Sequence, residues 1–257
     1  MILDTAKIPW IPKTQIENAA LDLLAQWGKF SGQEIGSPIP VEAIVEKYLG
    51  ITLEYDNLDE IIGIPDVLGA TWVDEKRMVI NSFLLDGREG RFTFTCGHEV
   101  GHWVLHRKFL LHQTEDAFIS GAKNNPAVVC RVSASKTRGE WQADYFSSCF
   151  IMPGPKVQEA FYKVFGGNPL VIYNRKSCFG RNNPIVLDPS LDTAHQIAKN
   201  VMDAGRFLNV SREAMAYRLE DLGLLINETG LLLSSGFKMS KPFPKRSKGK
   251  NLKNVAT

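Results

Sequence analysis

Apolar positions recur along the chain with two periods, and each period marks a different kind of element. Between Thr14 and Lys29, residues Ile16, Ala19, Ala20, Leu23, Leu24 and Trp27 fall at the i, i+3, i+4, i+7 spacing of one helix face, and Gly32 and Gly36 end the run. Pro40 opens a second helix over Val41–Tyr48, which Gly50 stops. The pattern then turns strand-like at Ile51–Tyr55. Gly69–Val73 and Met78–Asn81 flank the polar turn Asp74-Glu75-Lys76-Arg77 and predict a hairpin. Helical spacing resumes over about Phe92–His106, over Glu140–Ile151 up to Pro153-Gly154-Pro155, and over Val157–Phe165. Between these, Arg107–Gly139 mixes short apolar pieces with glycine, asparagine and proline, as a lid, a flap or a partly structured connection would.

From Ser190 the texture is helix, turn, helix. One helix is expected over Leu191–Phe207, and Ser211 caps another that reaches Leu222, with Leu224–Leu233 as a small wing. Helices around a small antiparallel sheet, followed by a helix–turn–helix-like segment, give an α+β chain. The expected divisions are 1–185 for the main domain, 186–235 for the helical segment and 236–257 for a basic tail.

Composition and charge add bounds. The chain has 257 residues, 44% hydrophobic and 23% charged, which excludes wholesale disorder. No apolar run is long enough to span a membrane, and the N-terminus lacks the basic and apolar regions of a secretory signal, so a cytoplasmic protein is expected. The net charge of +2 conceals an asymmetry: from Gly236 onward there are seven basic residues and no acidic one, leaving −5 for the rest. A tail of that composition is expected to be disordered and to act as a solubilising end, or to attract nucleic acid or an acidic partner. The four cysteines, Cys96, Cys130, Cys149 and Cys178, show no paired spacing and read as reduced thiols, mostly core. Cys96, two residues before His98, is the one with a conceivable redox role.

Chemistry concentrates at His98-Glu99-Val100-Gly101-His102. On a helix, two histidines four apart stand one turn above each other on one face and can share a Zn²⁺, with Glu99 aimed at the water that attacks a carbonyl. A third histidine ligand three turns on would require His at position 108, which is Lys108. His106 lies eight residues from His98, about 12 Å along the axis, too far for one ion to join both, so it reads as a supporting histidine. A carboxylate from another helix remains, and Glu140 fits. Asp144, one turn later on the same face, can reach a ring N–H of a ligand histidine, and the small Ala143 lets the two helices approach. Asn81, at the end of the hairpin, is either a turn residue or part of a sheet edge that pairs with an extended peptide. By residue type alone, Tyr145, His112 and Arg131 are candidates to stabilise an oxyanion.

Arg91-Phe-Thr-Phe-Thr-Cys-Gly-His-Glu-Val-Gly-His-Trp-Val-Leu-His106, followed by Glu140-Trp-Gln-Ala-Asp-Tyr-Phe-Ser-Ser-Cys-Phe-Ile-Met-Pro153, resembles the ImmA/IrrE metallo-endopeptidases. The resemblance covers about residues 15 to 235. Cys96-Gly97 stands where Leu-Ala is usual and Ser147-Ser148 where Ala is usual, and neither pair includes a ligand. The resemblance implies a zincin-like core, His98, His102 and Glu140 as zinc ligands, and Glu99 as catalytic base. It further implies a specific protein substrate, a helix–turn–helix repressor whose cleavage derepresses genes.

The helix after Ser211 carries Arg212 and Arg218 against Glu213, Glu220 and Asp221, a net of −1. A helix meant for the major groove is expected to be electropositive, so partner docking or a structural role is favoured over DNA contact. The competing reading from another class is a non-catalytic regulator that binds DNA or a repressor and keeps a structural metal site.

Overall fold

The computed structural model describes residues 8–111, 128–131, 137–172, 191–228 and 233. The basic tail, Cys178, His112 and most of the expected flap lie outside them. The chain is a mixed α+β protein, and among the described residues no helix is long and apolar enough to cross a membrane.

The first helix, α1 (Lys13–Ser31), buries Ile16, Ala20, Leu23 and Leu24, the stripe its spacing predicts, and ends at Gly32 in the left-handed conformation (φ 68°). After it α2 (Val41–Ala43) runs into a π-helical turn, Ile44–Tyr48. The chain continues through β1 (Thr52–Asp56), α3 (Leu58–Ile62), β2 (Val67–Trp72) and β3 (Arg77–Asn81). The expected hairpin is present: β2 and β3 pair antiparallel, with Trp72 opposite Arg77. A 3-10 turn, Ser82–Leu85, leads to α4 (Glu89–Gly101), which passes directly into a π-helical turn over His102–His106.

The sheet has strand order β1-β3-β2-β4, with β4 (Val128–Arg131) drawn from the segment expected to be a lid, a flap or partly structured. It differs from expectation in being mixed rather than antiparallel, because β1 pairs parallel with β3. A short turn forces antiparallel pairing only on the strands it joins, and β1 reaches the sheet through α3, free of that constraint. Asn81 is accordingly not at an edge. It lies on an internal strand, 3% exposed, where its Nδ2 donates to the Val67 carbonyl (2.9 Å) and its Oδ1 accepts from the Phe83 amide (3.4 Å). The sheet edge expected at Asn81 is therefore not there.

Past β4, α5 (Arg138–Ile151) crosses α4 at close range. A Cβ at Gly97 would meet Ser147 Oγ at 2.5 Å, and one at Gly101 would meet the Ala143 Cα at 3.1 Å. Small residues on both helices permit that approach, and Ser147 Oγ donates to the Phe94 carbonyl across it (2.8 Å). Helix α5 ends at Ile151, ahead of Pro153-Gly154-Pro155 as expected, and α6 (Gly154–Phe165) starts within that tripeptide, earlier than the expected Val157, since proline is well suited to a first helical turn.

The C-terminal elements are β5 (Leu170–Ile172), α7 (Leu191–Gly205), α8 (Arg212–Asp221) and β6 (Leu225–Asn227). They are built into the same core. Strand β6 pairs parallel with β5, and Val201, Phe207, Met215 and Leu219 join the cluster that contains Ile16, Val100 and Phe150. Ser211 caps α8 as expected, accepting from the Ala214 amide at 3.0 Å. Arg218 is fully buried, with Nε donating to the Met152 carbonyl (3.0 Å) and Nη2 to Glu17 on α1 (2.5 Å). It is therefore unavailable to a nucleic acid.

Candidate metal centre

Helix α4 presents His98 and His102 one turn apart, and the close crossing of α5 brings Glu140 against both. Thr137 caps α5, accepting from the Glu140 amide (3.4 Å), which fixes Glu140 in the first turn. Its Oε2 lies 3.2 Å from His98 Nε2 and its Oε1 3.4 Å from His102 Nε2, while the two Nε2 atoms are 3.0 Å apart. For ligands about 2.1 Å from a tetrahedral zinc, neighbouring donor atoms stand roughly 3.4 Å apart, close to these separations.

The protons behind the imidazoles settle what the facing atoms offer. The Pro9 carbonyl only accepts, so Gln142 turns its Nε2 to it (3.0 Å) and leaves Oε1 as an acceptor. His106 Nε2 must then carry the hydrogen it shares with Gln142 Oε1 (2.8 Å), which makes Nδ1 the lone-pair nitrogen of a neutral His106. His102 Nδ1, 3.0 Å from that nitrogen, supplies the hydrogen between them. His98 Nδ1 likewise donates to Asp144 Oδ1 at 2.9 Å. With both imidazoles neutral, the two Nε2 atoms present lone pairs toward each other and toward a carboxylate. That arrangement is repulsive, and one cation among the three, a metal ion or a proton, relieves it. The donor set fits zinc, which takes nitrogen and oxygen ligands in this geometry.

Burial and charge act as this requires. Burial, reinforced by the facing His102, drives the His106 pKa down to about 3 and keeps it neutral. Burial opposes ionisation of Glu140, but His102 and His98 outweigh it and hold the carboxyl far below its ordinary range. Burial also works against charge on His98, yet the Cys130 thiol, Asp144 and Glu140 raise its pKa well above the usual value. When no metal is bound, a proton on His98 is the natural substitute.

Glu99 is fully buried beside this cluster. Thr71 Oγ1 on β2 donates to its Oε2 (2.6 Å), and its Oε1 has no partner among the described residues. Burial lifts its pKa above the ordinary carboxylate value, against the pull of His98 and His102. The Glu99 carboxylate rests against Gly69, where a Cβ would stand 2.9 Å from Oε1. The residue between the histidines is thus held at one oxygen and free at the other.

Of the residues singled out from sequence, His98, Glu99, His102, Glu140 and Asp144 converge, and His106 stands behind His102. Tyr145 does not join them: it stacks on Trp141 at 5.7 Å, with its hydroxyl pushed up by burial and by Cys149 and Asp221. The side chain of Arg131 lies outside the described residues. Cys96 is wholly buried with its thiol pushed well up by burial, which opposes a redox role. Thr71, Gly69, Gln142 and Cys130 were not singled out. Nothing local marks them: Gln142 lies two residues from both Glu140 and Asp144, off the face those two share by helical spacing.

No family model matches the chain, and no curated protein matches it. Among solved structures, a Mycobacterium tuberculosis transcriptional regulator aligns at 14% identity and a TM-score of 0.35, covering 82% of this chain and 52% of that one. The present chain thus spans about half the length of that regulator, and a likeness of this degree carries no argument about fold or function.

Proposed function

We propose that this chain is a zinc-dependent endopeptidase with a zincin-like core, of the ImmA/IrrE kind, acting in the cytoplasm. The observation that carries the reading is the convergence of two imidazole lone pairs and the Glu140 carboxylate beside a buried Glu99 with one unpartnered oxygen. His98, His102 and Glu140 would hold the zinc, which supplies Lewis acidity for carbonyl attack. Asp144 and the Gln142–His106 pair orient the two imidazoles. Glu99, steadied by Thr71 through Oε2, uses Oε1 to take the proton of the attacking water and returns it to the departing amine. Burial raises its pKa above the ordinary carboxylate value, which makes it a stronger base toward that proton.

The substrate rests on the resemblance of the two motifs: a helix–turn–helix repressor, cleaved to release its genes. The helix–turn–helix-like segment serves as a structural or docking element, which the burial of Arg218 supports. Co-expression with a small repressor encoded in the neighbouring reading frame, read as cleavage on a gel, tests the reading. Cleavage is expected with the wild-type chain and absent with Glu99→Gln. Undiminished biological activity of Glu99→Gln would instead favour a non-catalytic regulator with a structural metal.

A further inference from the structure

Cys130 is the residue of β4 that lies opposite Gly69 on β2. Residues directly opposed in an antiparallel ladder project to the same side of the sheet. The Gly69 side is the α4 side, because a Cβ there would stand 2.9 Å from both Glu99 Oε1 and Thr95 Cγ2. The neighbouring Val129 faces the other way, into the small cluster of Leu58, Val67, Ala70, Trp72 and Val79. The Cys130 thiol is accordingly brought among the candidate ligands: donor atoms of His98, Glu99 and Cys130 lie within 4.8 Å of one another, and His98 is shared with the His98–His102–Glu140 group. Cys130 is a free thiol.

A second observation concerns the same place. Glu99 Oε1 is buried and has no partner among the described residues, so a proton acceptor stands ready on the side from which Cys130 approaches. Two histidines and a carboxylate leave one corner of a tetrahedral ion open, and a thiolate is a favoured zinc ligand.

We propose that Cys130 is the fourth zinc ligand of a resting form, closing the corner that a peptide carbonyl must reach. This rests on the zinc reading above. On closure the Cys130 S–H bond breaks, its sulfur bonds to the metal, and the proton passes to Glu99 Oε1 and on to solvent. No oxidant or reductant takes part. The closed form withholds the open corner from a peptide carbonyl. Peptide entry reverses both steps together.

The test is optical and uses the full chain with Co²⁺ in place of zinc. A thiolate-to-cobalt charge-transfer band in the near ultraviolet is expected beside the visible bands of a tetrahedral ion. Cys130→Ser is expected to lose the first and keep the second, whereas Cys149→Ser keeps both. Tetrahedral cobalt without the thiolate band in the wild type, or a band that survives Cys130→Ser, overturns the proposal and leaves the zinc reading intact. Failure of the wild-type chain to bind cobalt removes both. If Cys130→Ser does not fold, alkylation of Cys130 in the wild type decides. Bound zinc is expected to slow it about tenfold or more, and an unchanged rate overturns the proposal.

Discussion

His102 Nδ1 stands 3.0 Å from His106 Nδ1, so one histidine of the His-Glu-x-x-His motif is oriented by a third histidine one turn further along the chain. The line of hydrogen bonds continues through Gln142 to the Pro9 carbonyl, joining the start of the described chain to the His102 ring that faces Glu140.

Breaking that line without touching a ligand is expected to weaken zinc binding. His106→Phe removes the acceptor that keeps the His102 hydrogen on Nδ1, and Gln142→Leu removes the acceptor that fixes the His106 tautomer facing it. A loss of roughly 10- to 100-fold in zinc affinity is expected, measured by competition with a chelator. Long-range proton–nitrogen spectra should show His102 losing its single tautomer. Unchanged affinity in both variants would leave the line without a role in metal binding.

Gly69→Ala is expected to displace the base and spare the metal. The added methyl would stand 2.9 Å from Glu99 Oε1 and from Thr95 Cγ2, so Glu99 must shift. A fall of about 10²-fold in kcat, with zinc stoichiometry unchanged, is expected for a misplaced catalytic group. Wild-type kcat in this variant would show that the Glu99 position is not critical.

How much of this was legible along the chain depends on how local each signal is. The buried stripe of α1, the Ser211 cap, the hairpin and the pairing of Glu140 with the two histidines all follow from short-range spacing or from the need for one more ligand. The π turn at His102–His106 was not legible, because it reflects hydrogen bonding rather than residue type. Asn81 was misplaced because whether a strand lies inside a sheet or at its edge is decided by distant segments, here β1 and β4. Cys130 was read only as a reduced, mostly core thiol, because the pairing that carries it to His98 joins strands about 60 residues apart.

Acid is expected to release the metal earlier than ordinary imidazoles would. Burial disfavours charge on His98, but Cys130, Asp144 and Glu140 raise its pKa above the usual value, so its proton competes for Nε2 to a higher pH. Zinc affinity should therefore rise with pH and still be rising above pH ~6.5, the ordinary histidine value. Calorimetry in buffers of different ionisation enthalpy should record proton release on binding. Affinity that is flat from pH ~6.5 upward would contradict this.

The buried Arg218 ties α8 to α1 and to the end of α5, and its removal strands Glu17. Arg218→Met is expected to cost about 3–5 kcal/mol in urea unfolding, with Glu17→Gln recovering part of it in the double variant. A loss below about 1 kcal/mol would mean that the C-terminal helices add little to the common core.

The zinc content of the purified chain, measured by plasma mass spectrometry, tests the metal centre most directly. One zinc per chain is expected in the wild type and in Glu99→Gln, and far less in His102→Ala and Glu140→Ala. Wild-type protein that holds no zinc after supply of the metal, or Glu140→Ala that keeps a full equivalent at unchanged affinity, would contradict the site built from these two helices.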